Sequence, residues 1–218
     1  MRVIAYIDGF NLYYRALKPN PHLKWLNLEE FVKRFLRPGD VLLRVNYYTA
    51  PVSGLQDPGA PQRQQAYLRA LKTLPCLEIH HGSFMRKEIC RPLVHPIPLV
   101  RPLSPDGQFV LVKSTEEKGS DVNLAAHLLR DAFTNAADVG LVVSADTDLI
   151  EPIRIVAQEL GKPVGLVNPS LGRPSPPKLA AVCSFLRHAD AADLKASQFP
   201  DRLVSRSGRP ITRPATWA

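Results

Sequence analysis

Apolar runs of strand length alternate along this chain with segments whose apolar residues recur at helical spacing. The predicted strands are Arg2–Ile7, Val41–Ala50, Leu77–His81, Asp138–Ala145 and Val164–Val167. The predicted helices are Asn11–Leu17, Leu28–Leu36, Gln62–Leu74, Asp121–Phe133, Leu149–Leu160 and Leu179–Arg187. Short apolar strands joined by helices are typical of a parallel sheet covered on both faces. The pattern therefore predicts an α/β fold with a central, mainly parallel sheet.

Local signals mark several boundaries of these elements. Ser120 is expected to cap the helix that follows it, and Gly161 to end the helix that precedes it. The segment Arg91–Gln108 contains five prolines and no apolar periodicity, which predicts an irregular excursion. The stretch Phe109–Lys113 that follows is short and apolar.

We expect the chain to divide into a domain at residues 1–190 and a C-terminal part at residues 191–218. The first part holds all of the predicted strands and helices. The second part turns polar and is rich in arginine, at Arg202, Arg206, Arg209 and Arg213. It is expected to be a tail or a small appendage, whose arginines either contact a phosphate backbone or are simply solvated.

The charge of the chain favours a polyanionic partner without identifying one. Its 218 residues include 28 Lys+Arg and 20 Asp+Glu, a formal net charge of +8. Such an excess is informative only where the cations are grouped, since a mildly basic solvated surface gives the same total. No apolar run approaches the roughly 18 residues that span a membrane. Three scattered cysteines indicate no disulfide framework, so we expect a cytoplasmic protein.

Acidic residues from three separate segments are expected at one edge of the sheet. Asp8 ends the first predicted strand, and Asp121 lies in the first turn of a helix. Asp146 and Asp148 directly follow another predicted strand. Open parallel sheets place their sites beyond the carboxyl ends of the strands. Each acid alone also fits a helix cap, a helix dipole or a turn, but convergence from three segments favours a functional site.

Grouped carboxylates would repel one another and raise their own pKa values unless a cation lay between them. Hard oxygen ligands suit Mg²⁺ or Mn²⁺, which also keep several waters. Such an ion acidifies a bound water and stabilises charge that develops on a phosphodiester. The four acids therefore favour metal-dependent phosphodiester hydrolysis.

Three motifs that contain these acids resemble the signature motifs of the NYN domain family. They are Tyr6–Leu12, Glu117–Leu124 and Val143–Leu149, which read YIDGFNL, EKGSDVNL and VSADTDL. Their order and spacing match the family, and the resemblance covers roughly residues 1–190. NYN domains are PIN-like nuclease domains. The resemblance thus implies a PIN-like three-layer α/β/α sandwich with a central, mainly parallel sheet.

The resemblance also implies that the protein is an endoribonuclease that uses Mg²⁺ or Mn²⁺ to cut RNA. In that case Asp8, Asp121 and Asp146 would be the main metal ligands. Asp148 would be a further ligand or would orient water. PIN-like proteins are commonly dimers, so the resemblance also makes a homodimer an expectation.

Other residues are expected to support the acids or to contact RNA. By resemblance, Asn11 and Ser144 would hold the carboxylates or the scissile phosphate. Lys118 is close enough in sequence to meet a phosphate, although a solvated loop lysine fits equally well.

Aromatic and basic residues near the first and second motifs are candidates for base stacking and phosphate binding. Tyr14 and Arg15 follow the first acidic motif. Arg86, Lys87 and Arg91 form a basic cluster beside the proline-rich segment. These residues are the predicted substrate contacts outside the acidic motifs.

One position departs from the family pattern and motivates a second hypothesis. Many family members carry an acid six residues after the aspartate that corresponds to Asp121, where this chain has His127. Six residues correspond to about 240° around a helix, so the two side chains do not share a face. His127 is therefore either a neutral ligand, a phosphate contact or a packed residue. If the absent acid is essential, the chain is a non-catalytic RNA-binding or regulatory module.

Two other readings have weaker support. A zinc site could draw on the scattered donors Cys76, His80, His81, Cys90 and His95, but their spacing matches no structural zinc pattern. A phosphatase of the haloacid dehalogenase type would need an acid two residues after Asp8, where the chain has Phe10.

Overall fold

Strands β1 (Arg2–Asp8) and β6 (Val139–Val143) are neighbours at the centre of a six-stranded sheet. The remaining strands of this sheet are β2 (Val41–Thr49), β3 (Leu77–His81), β7 (Val164–Asn168) and β8 (Phe185–His188). The order across the sheet is β3-β2-β1-β6-β7-β8, and each neighbouring pair is parallel. The structure is a computed structural model and describes residues 1–55, 57–93 and 109–217.

Helices cover both faces of this sheet, as the alternation of strands and helices predicts. Their bounds are α1 (Gly9–Leu12), α2 (Leu28–Lys33), α3 (Ala60–Leu71), α4 (Ser120–Phe133), α5 (Ile150–Arg154), α6 (Pro177–Val182) and α7 (Ala191–Ala196). Single π-helical turns at Tyr13–Leu17 and Ile155–Glu159 extend α1 and α5. Short 3₁₀ turns lie at Pro21–Leu23, Thr147–Leu149 and Ala215–Trp217.

The side-chain alternation of β1 divides the core into two halves. Ile4 and Tyr6 pack with Leu124 and Leu128 of α4 on one face, and Val3, Ala5 and Ile7 pack with α2 and α3 on the other. Successive residues of a strand point to opposite faces, so a strand that is apolar throughout must be covered twice. The predicted three-layer α/β/α sandwich with a mainly parallel sheet is confirmed.

A long hairpin interrupts this order between β3 and α4. Strand β4 (Ser83–Pro92) runs antiparallel to β5 (Phe109–Lys118) in a sheet of its own. The sequence predicts neither β4 nor the full length of β5, because polar and apolar residues do not alternate along them and neither strand has a buried residue. Arg91 belongs to β4 rather than to an irregular excursion, and residues 94–108 of that predicted excursion lie outside the described residues.

Two local expectations are wrong. Residues 185–187 are part of strand β8 rather than the end of a helix, since Phe185 pairs with Gly165 and its ring fills the space that a side chain would need there. Ser120 does not cap α4 but is its first residue. The N-cap of α4 is Gly119, whose φ of 101° is the left-handed conformation that favours glycine. Gly161 ends its helix as expected, at a φ of 64°.

The C-terminal segment folds onto the sandwich. Residues 191–217 form α7, a hairpin of β9 (Arg202–Val204) and β10 (Pro210–Thr212), and the last 3₁₀ turn. Phe199, Ile211 and Trp217 belong to the buried cluster on the α2 and α3 face, where Trp217 lies beside Trp25. This segment therefore contributes to the hydrophobic core. None of the helices in the described residues could serve as a transmembrane span.

Replacement of Trp217 by alanine tests this contribution. Trp217 is 8% exposed and contacts the rings of Trp25 and Tyr67. Trp217→Ala should lower the free energy of unfolding by about 3–5 kcal/mol, the usual cost of removing a buried aromatic side chain. Val204→Ala, at an exposed position of β9, should change it by no more than about 0.5 kcal/mol. Equal effects of the two changes on the guanidinium midpoint would contradict the packing described here.

Candidate metal centre

Three carboxylates from separate elements meet at the carboxyl edge of the sheet. Asp8 is the last residue of β1, Asp146 follows β6, and Asp121 is the second residue of α4. One carboxylate oxygen from each lies within 4.8 Å of the others, close enough for all three to share an ion. Asp8 is buried, whereas Asp121 and Asp146 are half-buried, so the group opens towards solvent on one side. The structure thus brings together three of the four acids that the sequence places at this edge.

The buried hydroxyl of Ser144 connects two of these acids. Its Oγ donates to Asp8 Oδ2 at 2.9 Å and accepts from the backbone N–H of Asp146 at 3.0 Å. Asn11 adds a second connection between the strand ends, because its Oδ1 accepts from the backbone N–H of Ala145 at 2.9 Å. These bonds fix the spacing between the end of β1 and the end of β6.

The turn after β1 restrains the Asp8 carboxylate from the other side. Oδ1 of Asp8 accepts from the backbone N–H of Asn11 at 2.9 Å, which also caps α1. The chain between them must pass close to β2, since a side chain at Gly9 would lie 2.4 Å from the carbonyl oxygen of Tyr48. The glycine of the first motif is therefore required by this close approach.

A carboxylate that the sequence did not single out positions the helix bearing Asp121. Glu117 Oε1 accepts from the backbone N–H of Ser120 at 3.1 Å and from its hydroxyl at 2.7 Å. A side chain at Gly82 would collide with this carboxylate, so the start of the hairpin has to be a glycine. The sequence carries no standard signal for this bond, because a capping box places the Ser or Thr three residues before the Glu and here the order is reversed.

The group is electrostatically unfavourable without a cation. Burial raises the pKa of Asp8 above its ordinary value, against the hydrogen bonds from Asn11 and Ser144 that lower it. Burial, together with the charges of Asp8 and Asp146, raises the pKa of Asp121 to about 6. A divalent cation among the three oxygens would reverse this repulsion. An all-oxygen donor set of this kind fits Mg²⁺ or Mn²⁺.

The fourth predicted acid lies at the rim. Asp148 is exposed, and it is not a member of the group of three. Its backbone N–H donates to Asp146 Oδ1 at 3.0 Å, which orients the Asp146 carboxylate. Its charge is still near enough to raise the pKa of Asp121.

Tyr14 and Arg15 lie on the π-helical turn that follows the first acidic motif, and both are exposed. The Tyr14 ring packs edge-on against Tyr13, and Lys18 Nζ lies 4.9 Å from the Tyr14 ring centre. Lys24 lies over Tyr13 in the same way. We call Tyr13, Tyr14, Lys18 and Lys24 the aromatic–cation patch. Single π turns are frequent at functional sites.

The basic residues of the hairpin do not form one cluster. Side chains alternate along a strand, so Arg86 lies on the opposite face of β4 from Lys87 and Arg91. Arg86 donates to Ser53 Oγ at 2.6 Å. Lys87 and Lys118 both pair with Glu116, at 3.0 and 3.1 Å, and this carboxylate partly offsets their charge.

His127 contacts aromatic neighbours. Its Nδ1 lies 3.0 Å from the hydroxyl of Tyr48, and its ring packs edge-on against His80 with 4.5 Å between centres. Burial lowers the pKa of both histidines, which favours neutral rings. Among the described residues, the candidate zinc ligands form no group of three that could share an ion. His95, the remaining candidate, lies outside the described residues.

Comparison with known proteins identifies the family. The model of the NYN domain matches residues 2–189, and the chain therefore belongs to the NYN domain family. It is thus a PIN-like, nuclease-type domain. A curated relative, the 6-hydroxy-3-succinoylpyridine 3-monooxygenase HspA of Pseudomonas putida, is 25% identical over all of this chain and 75% of its own length.

A solved structure of a protein of unknown function from Vibrio parahaemolyticus is also similar. It is 16% identical, has a TM-score of 0.49, and the match covers 87% of this chain and 93% of that one.

The raised pKa of Asp121 predicts a dependence of stability on pH and metal. The folded state binds a proton at Asp121 near pH 6 and the unfolded state near 3.8, so this group lowers the free energy of unfolding as pH rises from about 4 to about 6. At pH 7.5, without divalent cations, the melting temperature of Asp121→Asn should be about 2–4 °C above that of wild type. This difference corresponds to a gain on the order of 1 kcal/mol in the free energy of unfolding. The difference should vanish near pH 4.

Calorimetry with and without Mn²⁺ checks this prediction. Mn²⁺ should raise the melting temperature of wild type more than that of Asp121→Asn, because the variant lacks one ligand charge. Glu88→Gln, on the exposed hairpin, should behave like wild type. A wild type that gains stability steadily from pH 4 to pH 7.5 while Asp121→Asn does not would refute the proposed repulsion.

Proposed function

We propose that this protein is a metal-dependent endoribonuclease that hydrolyses RNA phosphodiester bonds at the carboxyl edge of the sheet. The observation that carries the proposal is the approach of three carboxylate oxygens, from Asp8, Asp121 and Asp146, to within 4.8 Å of one another. Like charges are brought together at a stability cost, and a cation offsets that cost. Membership of a nuclease-type family supports the same reading.

Each residue of the site has a proposed role. Asp8, Asp121 and Asp146 hold Mg²⁺ or Mn²⁺, which when bound supplies a Lewis acid for the phosphate and acidifies a water. Asp148, exposed at the rim, orients water or adds a ligand at a second position. Ser144 keeps Asp8 and Asp146 in register through its two hydrogen bonds.

RNA is the proposed substrate because of the family and because of the aromatic and cationic side chains that follow the first acidic motif. The aromatic–cation patch offers rings for base stacking with ammonium groups for phosphates. Arg15 extends this surface on the same turn, and Arg86 adds a cation on the hairpin. Lys87 and Lys118 are weaker candidates because Glu116 partly offsets both. Asn11 acts as a support rather than as a substrate contact, since its side chain bonds Ala145.

The second candidate is an RNA-binding module without catalysis. His127 favours this candidate. Many family members carry an acid at this position, whereas here the His127 side chain packs on Tyr48 and His80. The name of the Pseudomonas relative refers to a further class, a monooxygenase. This sequence has no two glycines separated by one residue, so it lacks the Rossmann dinucleotide fingerprint.

Asp146→Asn is the sharpest test of catalysis. Asn can still accept from the Asp148 N–H through its side-chain oxygen, so the turn should keep its fold while the ligand loses its charge. Cleavage of a labelled RNA with single-stranded and hairpin segments should fall at least about 100-fold. EDTA should abolish cleavage by wild type, and Mn²⁺ should restore it.

Asp190→Asn is the matched control. Asp190 caps α7 with the same kind of side-chain bond, to Asp193 N at 2.7 Å, but is no member of the acidic group. It should retain full activity. Unchanged cleavage by Asp146→Asn would show that the site is wrong. RNA binding with no metal-dependent product from wild type would favour the non-catalytic module.

A further inference from the structure

A cavity of about 180 Å³ lies at the end of the sheet opposite the acids. Its floor is formed by the side chains of Val3, Val139 and Leu141, near the amino ends of β1 and β6. Val3 and Asp8 are five positions apart in β1, which places the cavity about 16 Å from the acidic edge. The proposed nuclease chemistry makes no use of this cavity.

The body of the cavity is apolar. Phe35 and Leu36 form one wall, after the end of α2, and the half-buried ring of Phe185 forms another. The Phe185 ring lies against the bare backbone of Gly165, where a side chain would lie 2.1 Å from it. The sheet thus holds the ring in place, so this wall of the cavity belongs to the central sheet and not to a loop.

The rim of the cavity is cationic. The guanidinium carbons of Arg37 and Arg187 lie 5.8 and 5.4 Å from the centre of the Phe185 ring. Among the described residues, neither guanidinium forms an ion pair with a carboxylate, and Arg187 donates only to the carbonyl of Leu186. Two arginines therefore converge on one aromatic side chain, and both have guanidinium N–H groups available for a ligand.

Asp40 is the carboxylate that the described residues place at the rim, and it is already bonded. Asp40 accepts from the amino terminus at 3.0 Å and from the backbone N–H of Arg37 at 3.0 Å. These bonds hold the pKa of Asp40 below its ordinary value, so it remains charged but is neutralised locally. The rim thus presents two cations above an apolar floor.

From this arrangement we propose that the cavity binds a small amphipathic anion, an apolar body with one carboxylate or phosphate head. The body lies on Val3, Val139 and Leu141, and the head lies at the rim between Arg37 and Arg187. A dry cavity of roughly 150 Å³ accommodates benzene, so the volume here fits a body of about six to eight carbons. Arginine forks bind carboxylate and phosphate oxygens equally well in geometry.

Titration of straight-chain carboxylates into the full-length protein tests the proposal. Affinity, measured by calorimetry, should rise about fourfold with each methylene from butanoate to octanoate, since each added group leaves water. Octanoate should move the NMR methyl signals of Val139 and Leu141 while leaving the amide signal of Asp146 in place. 1-Octanol, which has the body without the charge, should bind at least about tenfold more weakly.

Variants separate the cations from general surface charge. Arg37 and Arg187 are exposed, so Arg37→Gln and Arg187→Gln should leave the fold intact. Each substitution should lower the affinity for octanoate at least about fivefold. Arg69→Gln, an exposed arginine on α3, should bind octanoate like wild type. The ratio of affinities for octanoate and n-octyl phosphate identifies the preferred head group.

Three results would overturn the proposal. They are no saturable binding of octanoate or octyl phosphate at millimolar concentration, equal affinity in wild type and in both glutamine variants, and signal changes confined to the acidic edge. None of these results depends on RNA cleavage, so the proposed nuclease function would be unaffected.

Discussion

The repulsion among Asp8, Asp121 and Asp146 is the constraint on which the rest of the site depends. The Ser144 hydroxyl donates to Asp8 and accepts from the Asp146 N–H, and Asn11 Oδ1 accepts from the Ala145 N–H, so the first and third acids are kept in place. Glu117 fixes the start of the helix that carries the second acid, because it accepts from the Ser120 N–H. Burial first, and the neighbouring carboxylates after it, raise the pKa of Asp8 and of Asp121, so keeping all three acids charged is costly without a cation. This arrangement supports the proposal that a divalent cation lies among the three carboxylates.

Much of the sheet and most of the site were accessible from sequence for one physical reason. Strands buried on both faces are apolar throughout, and the acids interrupt that pattern at the strand ends, as at Asp8 after Ile7. The hairpin β4–β5 was not accessible, because an exposed ribbon has no such pattern. The sequence predicts a helix at Phe185, because the strand pairing of this residue depends on Gly165, which is distant in sequence.

Two ends of one sheet thus carry opposite chemistry. The carboxyl edge gathers the three acids, while the amino edge has an apolar cavity with Arg37 and Arg187 at its rim. The net charge of +8 therefore does not all surround the acids. Part of it lies about 16 Å away, at the opposite end of the sheet.

The central claim is that a divalent cation occupies the space among the three carboxylates. Anomalous diffraction from crystals grown with Mn²⁺ measures this directly. We expect a peak within about 2.5 Å of an oxygen from each of Asp8, Asp121 and Asp146, and its absence in Asp146→Asn crystals. An anomalous peak at another place, with these three carboxylates bound only to one another or to water, would contradict a metal site among them.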